Sequence, residues 1–305
     1  MPAHGEARLA TLRGWLEYAE RRFRRARLCF GHGTSTARDE AAWLLTHALR
    51  LPHERLERSL ARELTPAERR RADRLIEQRV RTRSPLAYLI HEAWLCGQRF
   101  YVNERVIVPR SFIAELLHDR IRPWVARPSR VRRALDLCTG SGSLAVLMAL
   151  AFPRARVDAT DISRAALAVA RRNVNAHGVG RRVRLARADL FAGLPDEKYD
   201  LIVANPPYVD ARSMGRLPRE YRHEPKLALA GGRDGLRFVR RILREAALFL
   251  RPNGLLVVEI GHNRRALENA FPRIPFIWPE TSAGNASVFL LRCGDLPGES
   301  SGVLQ

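Results

Sequence analysis

From Val131 onward short apolar runs alternate with helical patterns, and this alternation limits the fold more than any other feature of the chain. Strands are expected at 134–138, 156–160, 183–186, 201–204 and 255–260, with helices at 143–151, 164–176, 236–250 and 264–271. Strand and helix in strict succession specify an α/β fold with a parallel, doubly wound sheet. Two closing runs, 276–278 and 287–291, have no full helix between them and fit a terminal antiparallel pair, which makes seven strands. In such a sheet, ligands bind beyond the carboxyl ends of the strands.

The fourth strand ends in an unusual way. Tyr199-Asp200-Leu201-Ile202-Val203-Ala204 runs directly into Asn205-Pro206-Pro207-Tyr208. Two prolines fix φ and lack N–H donors, so the Asn205 side chain and the Pro206 carbonyl sit on a rigid turn with hydrogen-bonding capacity unused by the ladder. That arrangement suits the grip of a planar NH2 group. A plain strand-ending turn has the same composition, and only the neighbouring strand ends separate the two readings.

Those neighbours carry a pattern. The first strand enters Asp136-Leu137-Cys138-Thr139-Gly140-Ser141-Gly142, where glycine lets the backbone approach a ligand. Ala145 breaks the pyrophosphate fingerprint, and no Gly-Lys-Ser/Thr follows, so phosphate binding is disfavoured. Asp161-Ile162 closes the second strand, where a carboxylate can accept both hydroxyls of a ribose; Asp161 could equally cap the next helix, a role open to Ser163 as well. Asp189-Leu190-Phe191 closes the third, an acid with apolar residues able to hold an adenine. Together with Asn205 they point to an adenosyl group beside an amino acceptor.

The N-terminal part is helical. Leu9, Leu12, Leu16, Ala19, Phe23, Ala26 and Phe30 form one face of a helix with arginines outside, expected to end at Gly31-His32-Gly33. Thr36 caps a second helix, and Thr65-Pro66 with Glu68 starts a third whose apolar side carries Leu75, Ile76 and Val80. Residues 94–102 and 106–109 read as a hairpin turning near Asn103-Glu104, and Ser111 caps the next helix. The expected division is a helical domain 1–84, a hairpin linker 85–110, a large domain 111–293 and a disordered tail 294–305.

The formal charge is +21, and all but two of the 53 basic residues, Lys198 and Lys226, are arginine. That skew leaves two readings open, compositional bias or a surface for RNA. The opening Met1 to Arg8 lacks the apolar core of a signal peptide, and the longest apolar run, 144–152, is too short for a bilayer, so the cytoplasm is expected. Cys29, Cys96, Cys138 and Cys293 are scattered, with no spacing for a metal.

The series of strand ends resembles the class I S-adenosylmethionine-dependent methyltransferases, and Asn-Pro-Pro-Tyr resembles the motif of those that methylate planar amino groups. Within them the chain resembles the glutamine N5-methyltransferases of the HemK/PrmB/PrmC type. Three stretches point to the branch acting on ribosomal protein uL3: 92–102; Glu104 to Ser111 with Val108-Pro109-Arg110; and Tyr221-Arg222-His223-Glu224-Pro225 with Ala230-Gly231-Gly232 to Leu236. Phe112 stands where that branch usually has proline, and Lys226 where an acid is common.

The resemblance implies a Rossmann-like domain binding S-adenosylmethionine through Asp136, Thr139, Gly140, Ser141, Gly142, Asp161, Ile162, Asp189, Leu190 and Asn205. It implies methyl transfer to a glutamine amide nitrogen, with Asn205, Pro206, Pro207 and Tyr208 catalytic and Phe100, Arg110 and Glu224 at the substrate. The partner it implies is uL3 or an assembling large subunit, read by the N-terminal helices, with ribosomal RNA against the basic surface. Release factors, and adenine N6 in nucleic acid, are the rival acceptors; the second lacks a separate target-recognition domain here. A noncatalytic assembly binder is the rival from another class. His223 beside Arg222 and Glu224 reads as a loop residue rather than a base.

Overall fold

The computed structural model describes residues 9–297; Met1 to Arg8 and residues 298–305 of the expected tail lie outside the described residues. The chain divides into one unit of Met1–Glu92 with Leu217–His223, and a second of Ala93–Arg216 with Glu224–Gln305. The first division thus falls after Glu92 rather than after Ser84.

The first unit contains α1 (Leu12–Arg25), α2 (Ala37–Leu49), α3 (Pro66–Thr82) and α4 (Leu86–Ile90). Thr36 caps α2, and Thr65 with Glu68 forms a reciprocal capping box on α3. The α1 helix buries Leu12, Leu16, Ala19 and Phe23 and leaves Arg21, Arg24 and Arg25 outside. It stops well before the glycines, because Arg27 turns left-handed at φ 49°.

On α3 the buried positions are Ala72, Ile76 and Arg79, with Leu75 and Val80 only half-buried. Arg79 is wholly buried and donates Nε to Glu40 Oε1 at 2.7 Å. Glu220, from the 217–223 segment, accepts from Arg83 at 2.7 Å and from the Cys29 backbone at 3.1 Å. Removing one partner of such a pair would leave an uncompensated buried charge.

The second unit opens with a hairpin of β1 (Ala93–Leu95) and β2 (Gln98–Phe100). Its turn is Cys96-Gly97, both with positive φ, and not Asn103-Glu104. A two-residue loop matched to strand twist requires that pair of conformations. After α5 (Ile113–His118) come β3 (Arg133–Leu137), α6 (Ser143–Ala151), β4 (Arg156–Asp161), α7 (Arg164–Ala176), β5 (Val183–Arg187) and β6 (Tyr199–Ala204). The short α8 (Ala211–Arg216), α9 (Arg237–Phe249), β7 (Leu250–Glu259), α10 (Arg264–Ala270) and β8 (Val288–Arg292) follow.

The sheet runs β5-β4-β3-β6-β7-β8, parallel except for the antiparallel β8. Among the described residues it has six strands, not seven. Pro275 and Pro279 flank the run at 276–278, and without their N–H donors only the bridge between Ile277 and Leu290 forms. Alternate residues face opposite layers. Ala134, Val157, Leu201, Val203 and Val257 pack with α6, while Leu135, Leu137, Ile202, Ala204 and Val258 pack with α9 and α10. Each large aliphatic residue so buried contributes about 1.5–3 kcal/mol.

Beyond β8, Cys293–Asp295 forms a 3-10 turn and Leu296 is buried against this second layer, so the stretch expected to be disordered from Gly294 is ordered up to residue 297.

Candidate functional site

The strand order reverses between β3 and β6. Leu137 pairs with Ala204, so the glycine turn and Asn205-Pro206 leave the sheet on adjacent strands, about 4.8 Å apart.

The glycine turn is shaped from behind. Gly142 (φ 78°) begins α6, and a Cβ there would lie 3.0 Å from that of Ala170 on α7. Gly140 (φ 54°) has open space on its Cβ side, with only the Cys138 carbonyl at 4.0 Å. Asn173 on α7, buried, donates Nδ2 to the Ser141 carbonyl at 2.8 Å and binds both backbone polar atoms of Tyr101. It therefore fixes the glycine turn, a role its place in a helical run does not reveal.

Asp136 is fully buried. Thr139 donates its hydroxyl to Oδ2 at 2.5 Å, while Oδ1 has no hydrogen-bond partner among the described residues. Burial pushes its carboxyl up to about 7. Asp161 accepts from Gly140 N at 2.9 Å and Ser163 N at 2.8 Å, one on each oxygen, and burial raises it as well. Each oxygen keeps a lone pair for a further donor. Ser163 provides the α7 cap, so Asp161 is not needed for that task.

Ile162 stands next to Asp161 with 44% of its surface exposed, an apolar face fit for a purine. Leu190 departs from expectation: its side chain is buried in the core beside Phe191, which stacks on Phe249 at 4.7 Å. Neither ring nor side chain is left over for adenine. Asp189 pairs with Arg241 at 2.9 Å.

These residues fit S-adenosylmethionine. An orphaned buried carboxylate oxygen suits an ammonium group, the Asp161 oxygens suit ribose hydroxyls, and the open side of Gly140 admits the ligand backbone.

On the acceptor side, the Asn205 side chain and the Pro206 carbonyl make no hydrogen bond to any described residue, which keeps both acceptors available. The turn is fitted closely. A Cβ on Gly231 would lie 2.7 Å from the Tyr208 backbone, and one on Gly261 would lie 2.6 Å from the Tyr208 ring. Gly235 has no room for a Cβ against the Tyr208 carbonyl, which accepts Asn263 Nδ2 at 2.8 Å. The Gly-Gly block at 231–235 is thus what lets the clamp turn nest.

Tyr208 stands among charges. Its hydroxyl donates to Glu259 at 3.5 Å, and burial, then the Glu259 carboxylate, holds that hydroxyl above the ordinary phenol range. Glu259, at the end of β7, accepts Ser111 Oγ at 2.5 Å and Phe112 N at 3.0 Å. Ser111 is thereby drawn to Glu259, and Phe112 takes the N-cap position of α5. Sequence reading passed over Glu259, although a polar residue closing a buried strand is the signal that singled out Asp136, Asp161 and Asp189.

Arg110 and Glu224 bind each other through both nitrogens and both oxygens, at 2.5 and 2.6 Å, and Glu224 also accepts Val108 N at 3.0 Å. The Glu224 side chain is fully buried. Phe100, expected as a wall for the acceptor, is a core residue, 0% exposed and stacked on His177 at 4.9 Å. His223 donates Nε2 to the Thr82 carbonyl at 3.1 Å, as a loop residue would. Asp200 anchors the opposite strand end through Arg132 N, Arg133 N and Arg251.

Burial lifts the Glu259 carboxyl from its ordinary 4.5 to about 7. Between those values the folded protein keeps a proton that the unfolded chain has released. The stability this carboxyl contributes, about 3 kcal/mol, is therefore fully present below the window, falls as pH rises through it and is gone above it. Glu259→Gln keeps the shape and cannot ionise. In thermal scans its midpoint should decline less than the wild-type midpoint between pH 4.5 and 7. Parallel pH profiles would show that Glu259 is not held uncharged.

The methyltransferase small domain family matches residues 116–217, and the PrmC N-terminal domain family matches residues 14–90. A Neisseria gonorrhoeae protein named ribosomal protein uL3 glutamine methyltransferase is 53% identical over 291 residues, covering 95% of this chain and 97% of its own. Proteins of the same name from Burkholderia pseudomallei and Bradyrhizobium diazoefficiens are 51% and 49% identical, covering 94% and 96% of this chain and 96% and 93% of their own. With such identity across nearly its whole length, the chain belongs to the ribosomal protein uL3 glutamine methyltransferase family and is an S-adenosylmethionine-dependent methyltransferase.

Proposed function

We propose that the protein methylates the side-chain amide nitrogen (N5) of a glutamine in ribosomal protein uL3, in the cytoplasm. The observation that carries this is the pair of unused acceptors on Asn205 and Pro206, set beside a cofactor turn in a chain whose relatives bear that name.

An amide nitrogen is a poor nucleophile because its lone pair is delocalised into the carbonyl. S-adenosylmethionine, when bound, supplies an electrophilic methyl group. Asp136, Asp161, Ile162 and the turn from Thr139 to Gly142 hold it. Asn205 Oδ1 and the Pro206 carbonyl accept the two amide hydrogens, which presents the out-of-plane lobe of the nitrogen to the methyl carbon. With the cofactor bound there, the nitrogen so held would take the methyl group as its bond to sulfur is released, and the surplus amide proton would pass to water. Pro207 stiffens the turn, and Tyr208, braced by Glu259 and Asn263, covers the amide plane. The rate gain comes from approach and orientation, with fixed dipoles at the nitrogen.

Choosing glutamine over asparagine by pocket depth is worth about 1–3 kcal/mol, so the surrounding protein must add selectivity. The helical unit, matched by the PrmC N-terminal domain family, is assigned to reading that protein. Radiolabelled cofactor should be incubated with uL3, a short peptide carrying the same glutamine, a release factor and RNA. Labelling of uL3 with the highest kcat/KM is expected. Label in RNA or the release factor alone would overturn the acceptor, and equal rates on uL3 and the peptide would overturn the reader.

A further inference from the structure

The arginines of the second unit are unevenly placed. Arg130, Arg132 and Arg133 open β3, Arg154 and Arg156 open β4, and Arg181, Arg182 and Arg184 open β5. These strands are parallel neighbours, with Arg133 opposite Arg156 and Asp158 opposite Arg184, so all of them gather at one end of the sheet. The other end of the same strands carries Asp136, Asp161 and Asp189 with a single strand arginine, Arg187, opposite Asp161. Compositional bias alone would not sort charge along the strands in this way.

A cavity of about 560 Å³ opens at the basic end, lined by five arginines, 133, 156, 181, 182 and 184, against the two acids Asp158 and Glu197. Three of the arginines are committed within the fold. Arg133 pairs with Glu197 and Asp158, Arg184 with Asp158 at 2.7 Å, and Arg182 donates to the Ala149 carbonyl at the end of α6 at 2.7 Å. Asp158 is further tied down by the Tyr199 hydroxyl at 2.8 Å. Arg156 and Arg181 are exposed, and their side chains have no hydrogen-bond or ion-pair partner among the described residues. A held frame with two free guanidinium forks, and a surplus of positive charge, is built for an anion.

The lining chooses among anions. Apart from charged residues it holds only Val157, Val183 and Gly180, with no aromatic ring on which a base could stack. Guanidinium forks match phosphate oxygens in bidentate fashion. Three strand starts about 4.8 Å apart spread the arginines over roughly 10 Å, wider than one phosphate needs. We propose that this end of the sheet docks the phosphodiester backbone of structured RNA, with Arg156 and Arg181 as the contacting groups. A five-residue strand, about 16 Å, separates it from the cofactor turn, so docked RNA leaves the clamp free. The site does not rest on the identity of the methyl acceptor, and it offers a route by which a basic enzyme meets a basic protein already lying on RNA.

A labelled RNA hairpin should be titrated over a salt series against wild type, R156A/R181A, and R70A/R74A. The last pair removes equal charge from exposed, unpartnered positions of α3. R156A/R181A should weaken binding about tenfold and make the slope of log K against log salt shallower by about 2. The control pair should change both far less. Equal effects of the two pairs would overturn the site in favour of diffuse charge. Displacement of the hairpin by inorganic phosphate at matched phosphate concentration would overturn the backbone reading in favour of a small-anion pocket. Cofactor affinity and methyl transfer to free uL3 should stay at wild-type values in R156A/R181A, which separates this result from any failure of the acceptor assignment.

Discussion

Asn205→Ala is expected to lower kcat about 10²–10³-fold, with cofactor affinity unchanged within about twofold, because it removes a fixed dipole aimed at the reacting nitrogen. The side chain has no structural partner among the described residues, so the truncation leaves no protein group unsatisfied. Its strand stays paired on both sides, and the turn stays held by the two prolines and the glycine cradle around Tyr208. What disappears is one of two acceptors that orient the amide plane. Steady-state kinetics with saturating uL3, together with calorimetry of S-adenosylmethionine, separates the effects. A variant with near-normal kcat would remove Asn205 from the clamp.

Asp161→Ala should give the opposite split. Hydrogen bonds to a charged group are worth about 1.5–3 kcal/mol each, so losing the carboxylate proposed to accept two ribose hydroxyls should weaken cofactor binding about 100-fold or more. Part of that loss runs through the protein, since Asp161 also accepts the Gly140 and Ser163 N–H groups that set the turn. Binding of both S-adenosylmethionine and S-adenosylhomocysteine should fall together, while kcat at saturating cofactor changes much less than in Asn205→Ala. Calorimetry decides it, and an unchanged Kd would mean that the ribose lies elsewhere.

Much of this was legible in the sequence because it is local. A capping box needs only Thr65 and Glu68, the limits of α6 and α7 follow from apolar spacing, and the Asn-Pro-Pro turn announces itself through donors it lacks. Features that depend on distant neighbours were hidden. Arg79 closes a buried helix face in its last turn, which no pattern of apolar residues suggests, because Glu40 from another helix receives it. Cys96 is not a residue that advertises a left-handed turn, so the hairpin was displaced toward Asn103. Phe100 looked like a ligand wall, yet tertiary packing places it under His177. The glycines at 231 and 235 marked a family block and Gly261 stood outside it, but the reason for all three is the backbone and ring of Tyr208, more than twenty residues away in sequence.

The most direct check on the clamp is the position of the transferred methyl group. After reaction of the wild-type enzyme with uL3 and isotope-labelled S-adenosylmethionine, fragmentation mass spectrometry of the digested protein should find a single label, on the side-chain amide nitrogen of one glutamine, and about a hundredth of it or less after reaction with Asn205→Ala for an equal time within the linear phase. Label on a lysine, arginine or backbone nitrogen of uL3, or on adenine in accompanying RNA, would contradict an acceptor site built from the Asn205 side chain and the Pro206 carbonyl.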